Sequence, residues 1–273
     1  MDVKDVHSNE SLAAAAFSSQ AAKFDQLYAA DKIVQYKRDR VRDHLKNFIK
    51  AGDRILELNS GTGQDAIWLA QQNCQVHATD YSDGMLEILN NLIASQKMEN
   101  KVTSERRSFT DLKNLQQKGP YDGIFSNFAG LNCTRHLDEV LASFYPLLKP
   151  KGIVTLVLLP KFCLWEFLLL FRGKFKTAIR RFCNSEGVDA RVENTHFKCW
   201  YYNPSYITSQ LAAKYQLLQI EGLCTIVPPS YLEHFGDKYP KLLAVLQNRE
   251  NKWKSRWPWK YIGDYYILSL QKK

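Results

Sequence analysis

The chain has 273 residues, with 37 Lys and Arg against 28 Asp and Glu, a net charge of +9 and 45% hydrophobic residues. That content excludes a disordered chain and suits one large domain or a domain with a cap, while the positive charge favours an anionic partner. The six cysteines, at 74, 133, 163, 183, 199 and 224, lack zinc or iron–sulfur spacing, so reduced thiols in a cytoplasmic protein are expected.

Acidic residues among the first ten exclude a basic signal region, and residues 1–30 read as a partly disordered N-terminal segment, frayed to residue 11. Asp31 is placed to cap a helix carrying Val34, Val41, Leu45, Phe48 and Ile49 at helical spacing, with Gly52 ending it. Ile55, Leu56 and Leu58 then make a short apolar run suited to a strand buried on both faces. Gly61 and Gly63 punctuate the chain before a helix with Ala66, Ile67, Leu69 and Ala70. A glycine turn between strand and helix lets backbone N–H groups approach a ligand at the positive end of the helix dipole.

A second strand over residues 75–80 ends in Asp80, and Ser82 caps a helix whose Met85, Leu86, Leu89, Leu92 and Ile93 share one face. Further strands are expected at 101–108, 122–127 and 152–159, with an amphipathic helix through Leu137, Val140, Leu141 and Phe144. Residues 160–203 form an insertion: an apolar run over 162–171, then Arg172, Lys174, Lys176, Arg180 and Arg181, then a strand pair at 188–193 and 196–202. A helix at 205–215 and a sixth strand at 219–227 follow. A second insertion over 228–263 ends in the basic, aromatic Lys252-Trp-Lys-Ser-Arg-Trp-Pro-Trp-Lys260, and residues 264–270 close as a seventh strand.

Four stretches are similar to the motifs of one family, in its order and spacing. Glu57-Leu-Asn-Ser-Gly-Thr-Gly63 matches its first motif and Ala78-Thr-Asp-Tyr-Ser-Asp-Gly-Met-Leu-Glu87 its second. Tyr121-Asp-Gly-Ile-Phe-Ser-Asn-Phe128 matches its fourth strand and Leu147-Leu-Lys-Pro-Lys-Gly152 the turn before its fifth. Over roughly residues 40–160 the chain therefore resembles the class I S-adenosylmethionine-dependent methyltransferases.

The resemblance implies an α/β, Rossmann-like, doubly wound seven-stranded sheet, mostly parallel with an antiparallel last strand. The two insertions then become caps after strands 5 and 6 of a methyltransferase domain spanning 31–273. It also implies an enzyme that uses S-adenosylmethionine. Gly61 and Gly63 would approach its methionine portion, on a turn ordered by Glu57 and with Thr62 as a further cofactor-binding candidate, and Asn59 and Asn127 would hold its amino-acid end. Asp80 would accept from both ribose hydroxyls. Met85 and Ser108 fall where the adenine should lie, Met85 having a core role as its alternative, and Tyr81 and Phe109 are further cofactor-binding candidates. Ser108 stands where the family often has an acid. Phe128 lies in the loop that should face the reacting methyl, and Asp65 serves either the helix dipole or the cofactor. Phe24-Asp-Gln-Leu-Tyr28 resembles a segment that covers the cofactor, with ordinary helix packing the equal alternative.

No catalytic base stands out. His196, Tyr201 and Tyr202, in the expected roof, are candidates to orient an acceptor, as is Glu166, a carboxylate inside an apolar run; packing is the alternative for the three roof residues. The chemistry requires no metal. The apolar stripe beside cations suits a small hydrophobic or amphiphilic acceptor and peripheral contact with an anionic membrane surface, against the alternative of core and solvated face. The pattern Gly61-Thr-Gly63-Gln-Asp-Ala66 also fits a nicotinamide-dependent oxidoreductase, but the Glu57-Leu-Asn lead-in weighs against it. The tryptophan cluster raises an RNA-directed methyltransferase or binding module, disfavoured by the lack of an appended RNA-binding domain. Oligomeric state stays open.

Overall fold

A strand with apolar side chains on both faces needs helices above and below it. β1 (Arg54–Leu58) is such a strand, and Ile55, Leu56, Glu57 and Leu58 are all buried. In a computed structural model that describes residues 3–182, 186–232 and 234–273, it is followed by β2 (Gln75–Asp80), β3 (Val102–Arg106), β4 (Tyr121–Ser126) and β5 (Leu148–Leu158). A separate antiparallel hairpin, β6 (Val188–Val192) and β7 (Thr195–Cys199), precedes β8 (Tyr215–Leu223) and β9 (Tyr265–Lys272). The main sheet has seven strands in the order β3-β2-β1-β4-β5-β9-β8. β1 to β5 pair in parallel, and β9 is antiparallel to both β5 and β8, as expected of the last strand.

Strand alternation sends successive side chains to opposite faces. Leu56 and Leu58 join one core with Phe144 of α5 (Leu137–Leu147) and Ile207 of α8 (Pro204–Leu211). Ile55 joins the other, with Val41 of α2 (Lys32–Leu45), Ile67 of α3 (Gln64–Gln71) and Leu89 of α4 (Asp83–Ser95). Burying each such side chain stabilises the fold by roughly 1.5–3 kcal/mol. Pairing of Leu58 with Thr79 and with Ser126 brings the carboxyl ends of β1, β2 and β4 level. Strand order reverses between β1 and β4, the place where open α/β sheets bind ligands.

Two expectations are corrected. The N-terminal segment, expected to be frayed to residue 11, is helical as α1 (Val3–Ala29). Buried Ala13, Ala16 and Ala21 let it lie close on the domain. The Asn9 side chain donates to Cys133 O at 2.8 Å and accepts from Lys198 N at 2.6 Å, tying α1 to the β6–β7 hairpin. The sixth strand, expected at 219–227, ends at Leu223. The amides of Cys224, Thr225, Ile226 and Val227 turn instead to the buried Glu250 carboxylate, at 2.8–2.9 Å.

Residues after β5 fold into α6 (Leu164–Leu168), α7 (Phe175–Ile179) and the β6–β7 hairpin. Those after β8 form α9 (Phe235–Lys238) and α10 (Pro240–Trp253). Arg40 of α2 donates to Glu221 at 2.9 Å and reaches Glu250 of α10 at 3.4 Å, joining sheet and second insertion by buried charge pairs. Among the described residues no helix is long and apolar enough to cross a membrane.

Candidate functional site

The turn after β1 works because Gly61 and Gly63 take positive φ, +55° and +84°. A Cβ on Gly63 would sit 2.1 Å from Leu89 Cδ1, so that glycine seats α3 on α4. Nothing lies within 4 Å of a Cβ on Gly61, which faces open space. That space belongs to a crevice of about 160 Å³ above the carboxyl ends of β1, β2 and β4.

Asp80 ends β2 at its rim. Its Oδ2 accepts from Gly61 N–H at 2.8 Å and its Oδ1 from Ser82 N–H at 2.9 Å, so one carboxylate shapes both turns. Burial raises its pKa, and these amide bonds oppose the rise. Glu57, only 2% exposed, lies at the floor. Its Oε2 has no hydrogen-bond partner among the described residues. Burial, and then Asp65, drive its pKa well above the ordinary carboxylate value. Arg38 of α2 faces the same space, with Nε likewise unpartnered and its guanidinium carbon 5.8 Å from the Phe128 ring centre.

Asn59, Phe128 and Ala129 are forced into positive φ, at 47°, 44° and 64°. Such strain in bulky residues persists only where surrounding contacts over-determine it. Here Asn59 Nδ2 donates to Asn127 O at 3.1 Å and Asn127 Nδ2 to Asp65 at 2.7 Å, while Asp65 also holds Arg42. Both asparagines brace the walls.

α1 closes the crevice from above. Asp25 accepts from Thr62 Oγ1 at 2.9 Å and Gln64 Nε2 at 3.0 Å, and Ser18 and Ser82 share a hydrogen bond of 2.7 Å. Glu10 of α1 accepts a short hydrogen bond from Ser108 and another from Thr110 at 2.9 Å. A carboxylate thus stands beside the loop after β3, where the sequence shows only Ser108. Phe17, Phe24, Phe109 and Phe128 supply an aromatic lining.

The sequence of residues 55–152 matches the model of a family described as a methyltransferase domain. Residues 55–152 thus carry a methyltransferase domain. Demethylmenaquinone methyltransferases from Lactobacillus johnsonii and Clavibacter sepedonicus are 28% identical over 157 residues and 32% identical over 109. Those alignments take in 56% and 39% of this chain and 60% and 41% of the relatives, so the chain spans less than two thirds of either. A Burkholderia thailandensis 1,6-didemethyltoxoflavin-N1-methyltransferase, solved with bound 1,6-didemethyltoxoflavin and S-adenosylhomocysteine, superposes with TM-score 0.58 at 14% identity, over 98% of this chain and 90% of that one. At that identity the likeness is one of fold.

Within the methyltransferase domain, Glu57, Asn59, Gly61, Thr62, Asp65, Asp80, Tyr81, Met85, Phe109, Asn127 and Phe128 line the crevice. Gly63 lies beneath it, and Ser108 reaches it through Glu10. Tyr28 faces two side clefts instead. None of the four acceptor-orienting candidates lines the crevice. Glu166 is held by Arg180 and Arg181, at 2.5 and 2.6 Å, and these guanidinium groups lower its pKa against the effect of burial. Tyr202 donates to Thr134 O at 2.6 Å within the core. The Arg181 guanidinium lies 5.0 Å over the Tyr201 ring, and His196 points outward from β7. Over the crevice lies α1, which the β6–β7 hairpin of the first insertion props.

Glu10, Phe17, Arg38, Arg107 and Cys133 were not found by sequence reading. The small-residue run from Ala13 to Ala16 was the available signal for α1, since only small side chains allow so close an approach. In the tryptophan cluster, Trp253 and Trp259 pack on each other at 5.1 Å between ring centres, leaving Trp257 exposed. That geometry offers no ladder for stacked bases.

Proposed function

We propose that the protein transfers a methyl group from S-adenosylmethionine to a small, apolar acceptor. The observation that carries the reading is Glu57. A buried carboxylate with an unpartnered oxygen, beside the open face of Gly61, is a costly arrangement until a cation meets it. The ammonium of a methionine moiety supplies that cation, and Arg38 stands ready for its carboxylate. Asp80 retains lone pairs for ribose hydroxyls, and Glu10 with Met85 and Tyr81 suits an adenine edge and face.

When bound, S-adenosylmethionine supplies an electrophilic methyl on a sulfonium. The chain's part is to hold donor and acceptor together, an effect worth up to ~7–11 kcal/mol, and to exclude water with aromatic walls. The rings of Phe128, Phe17 and Phe24 favour a positive sulfur over a neutral one and an apolar acceptor over a polar one. The relatives named demethylmenaquinone methyltransferases support an acceptor of the quinone kind, apolar and ring-bearing.

With α1 in place the crevice measures about 160 Å³, against the ~300–1,000 Å³ usual for small-molecule sites, so the closed form fits an adenosyl ligand tightly. Cys74, Cys133, Cys163, Cys199 and Cys224 are buried free thiols, which supports a reducing compartment such as the cytoplasm; Cys183 lies outside the described residues. Isothermal titration with S-adenosylhomocysteine and, separately, NAD tests the reading. Binding of the first alone is expected; binding of NAD alone would replace this function with hydride transfer. Mass spectrometry of molecules that co-purify with the protein identifies the acceptor class.

A further inference from the structure

We propose that the helical hairpin after β5, residues 164–182, is a docking surface for an anionic phospholipid bilayer. Its outer side is unusually apolar for a surface: Phe167, Leu168, Phe171, Phe175, Ile179 and Phe182 are 40%, 41%, 83%, 63%, 50% and 53% exposed. Large rings clustered in this way mark a binding face, since scattered single exposures are the norm elsewhere.

Charge decides what kind of partner it fits. Arg172, Lys174 and Lys176 are exposed among these rings, and no Asp or Glu occurs between residues 167 and 182. A protein partner presenting an ordinary mixed surface would leave those cations poorly matched. A sheet of phosphate headgroups over hydrocarbon matches both the cations and the rings. Short helices are also the right shape, because α6 and α7 can lie flat and dip side chains without spanning.

The inner side of the hairpin explains why the outer side stays presented. Glu166 accepts from Arg180 and Arg181, and Arg181 also donates to Asp264 at 2.6 Å, just ahead of β9. Leu164 N–H donates to Ile262 O at 2.9 Å and Trp165 Nε1–H to Thr225 O at 3.1 Å. These buried bonds fix the hairpin's base, so the apolar face cannot fold inward without leaving charges unpaired. Cys163, Glu166 and Asp264 come close enough together to suggest a metal site, but Arg180 and Arg181 already balance the two carboxylates.

A cleft of about 630 Å³, lined by Tyr28, Tyr231 and Phe235, opens near the same base, where Tyr231 feels the charges of Glu166 and Arg181. Tyr28 also lines the next cleft, whose Arg38 and Gln64 border the crevice itself. An apolar acceptor dissolved in the bilayer would have a route of shared walls inward. That consequence rests on the methyl-transfer reading, whereas docking stands on the face alone.

The test is co-sedimentation of the full chain with vesicles of phosphatidylcholine, alone or mixed with phosphatidylglycerol, at low and high salt. Binding to the mixed vesicles is expected, falling at high salt. Each cation near an anionic surface is worth about fivefold, or ~1 kcal/mol, so Lys174→Glu with Lys176→Glu weakens partitioning by at least ~25-fold. Phe171→Asp with Phe175→Asp abolishes it while leaving thermal melting unchanged, because both rings are exposed. Absence of binding to mixed vesicles at low salt overturns the proposal, as does equal binding by wild type and both variants. A concentration-dependent dimer that Phe171→Asp dissolves, with no vesicle binding, assigns the face to a second copy and also overturns it.

Discussion

Replacing Glu57 with Gln keeps the shape of the crevice floor and removes only its charge. Glu57 is buried at 2% exposure, one oxygen lacks a partner among the described residues, and burial with Asp65 and Asp80 nearby raises its pKa well above 4.5. The empty site therefore favours the protonated acid, while an ammonium favours the carboxylate. Binding should expel a proton, and affinity should rise with pH through the raised pKa. A charge-assisted hydrogen bond is worth about 1.5–3 kcal/mol, so Glu57→Gln should weaken S-adenosylhomocysteine by roughly 10- to 150-fold and abolish the proton release. Stability moves the other way. A group whose folded pKa exceeds its unfolded value stabilises fully below the unfolded pKa and loses that contribution as pH rises through the folded one. The ligand-free wild type should thus melt lower as pH increases, and Glu57→Gln should flatten that slope. Calorimetry in buffers of different ionisation enthalpy counts the proton, and thermal melting across pH gives the slope. Unchanged affinity with unchanged proton release would refute the assignment of Glu57 as the cation's partner.

Asp80→Ala frees the amides of Gly61 and Ser82 and removes the acceptor proposed for the ribose; adenosyl-ligand affinity in titration calorimetry should fall by more than about tenfold, with a lower melting temperature. Gly84→Ala places a Cβ 2.9 Å from Ser18 O and 3.1 Å from its Cα. α1 must then move off α4, and limited proteolysis should cut α1 faster than in wild type while the rest of the domain stays protected. Glu221 is opposed by burial but held at about 2 by His44, Arg40 and Lys254. Its contribution, present above the unfolded value, is lost as pH falls from about 4.5 through about 2 and amounts to on the order of 3 kcal/mol. Denaturant titrations across that window should show the loss in wild type and a shallower one in Glu221→Gln.

The legible parts of the site were those whose cause is local in the chain. Strand, glycine turn and helix follow one another within residues 54–71, so the turn's backbone geometry and its ligand-facing side are written in consecutive residues. Asp80 and the Ser82 cap are likewise set by the end of one strand and the start of one helix. Contacts between distant segments left no such trace. Glu10 meets Ser108 across 98 residues, and Asp25 meets Thr62 across 37. Glu166 was correctly odd in an apolar run, yet nothing local revealed that arginines at 180 and 181, not an acceptor, answer its charge.

The same distinction separates what the fold supplies from what this chain adds. The sheet provides a glycine turn, the Asp80 carboxylate and a strained loop after β4, all held by neighbouring strands. α1 provides the cover and the Glu10 carboxylate beside the loop after β3, held by polar latches at Asn9, Glu10, Ser18 and Asp25 and by a small apolar cluster of Ala13, Ala16 and Phe17 with Cys133 and Phe197. Exposed or half-buried polar contacts of this kind contribute only about 0.5–1.5 kcal/mol each, far less than the packed cores beneath. A ligand larger than the closed crevice would therefore work against these latches and that small cluster, not against the sheet. Ligand affinity and the latches of α1 are therefore coupled quantities: weakening a latch lowers the cost of opening and, where the latch residue also contacts ligand, the gain on closing.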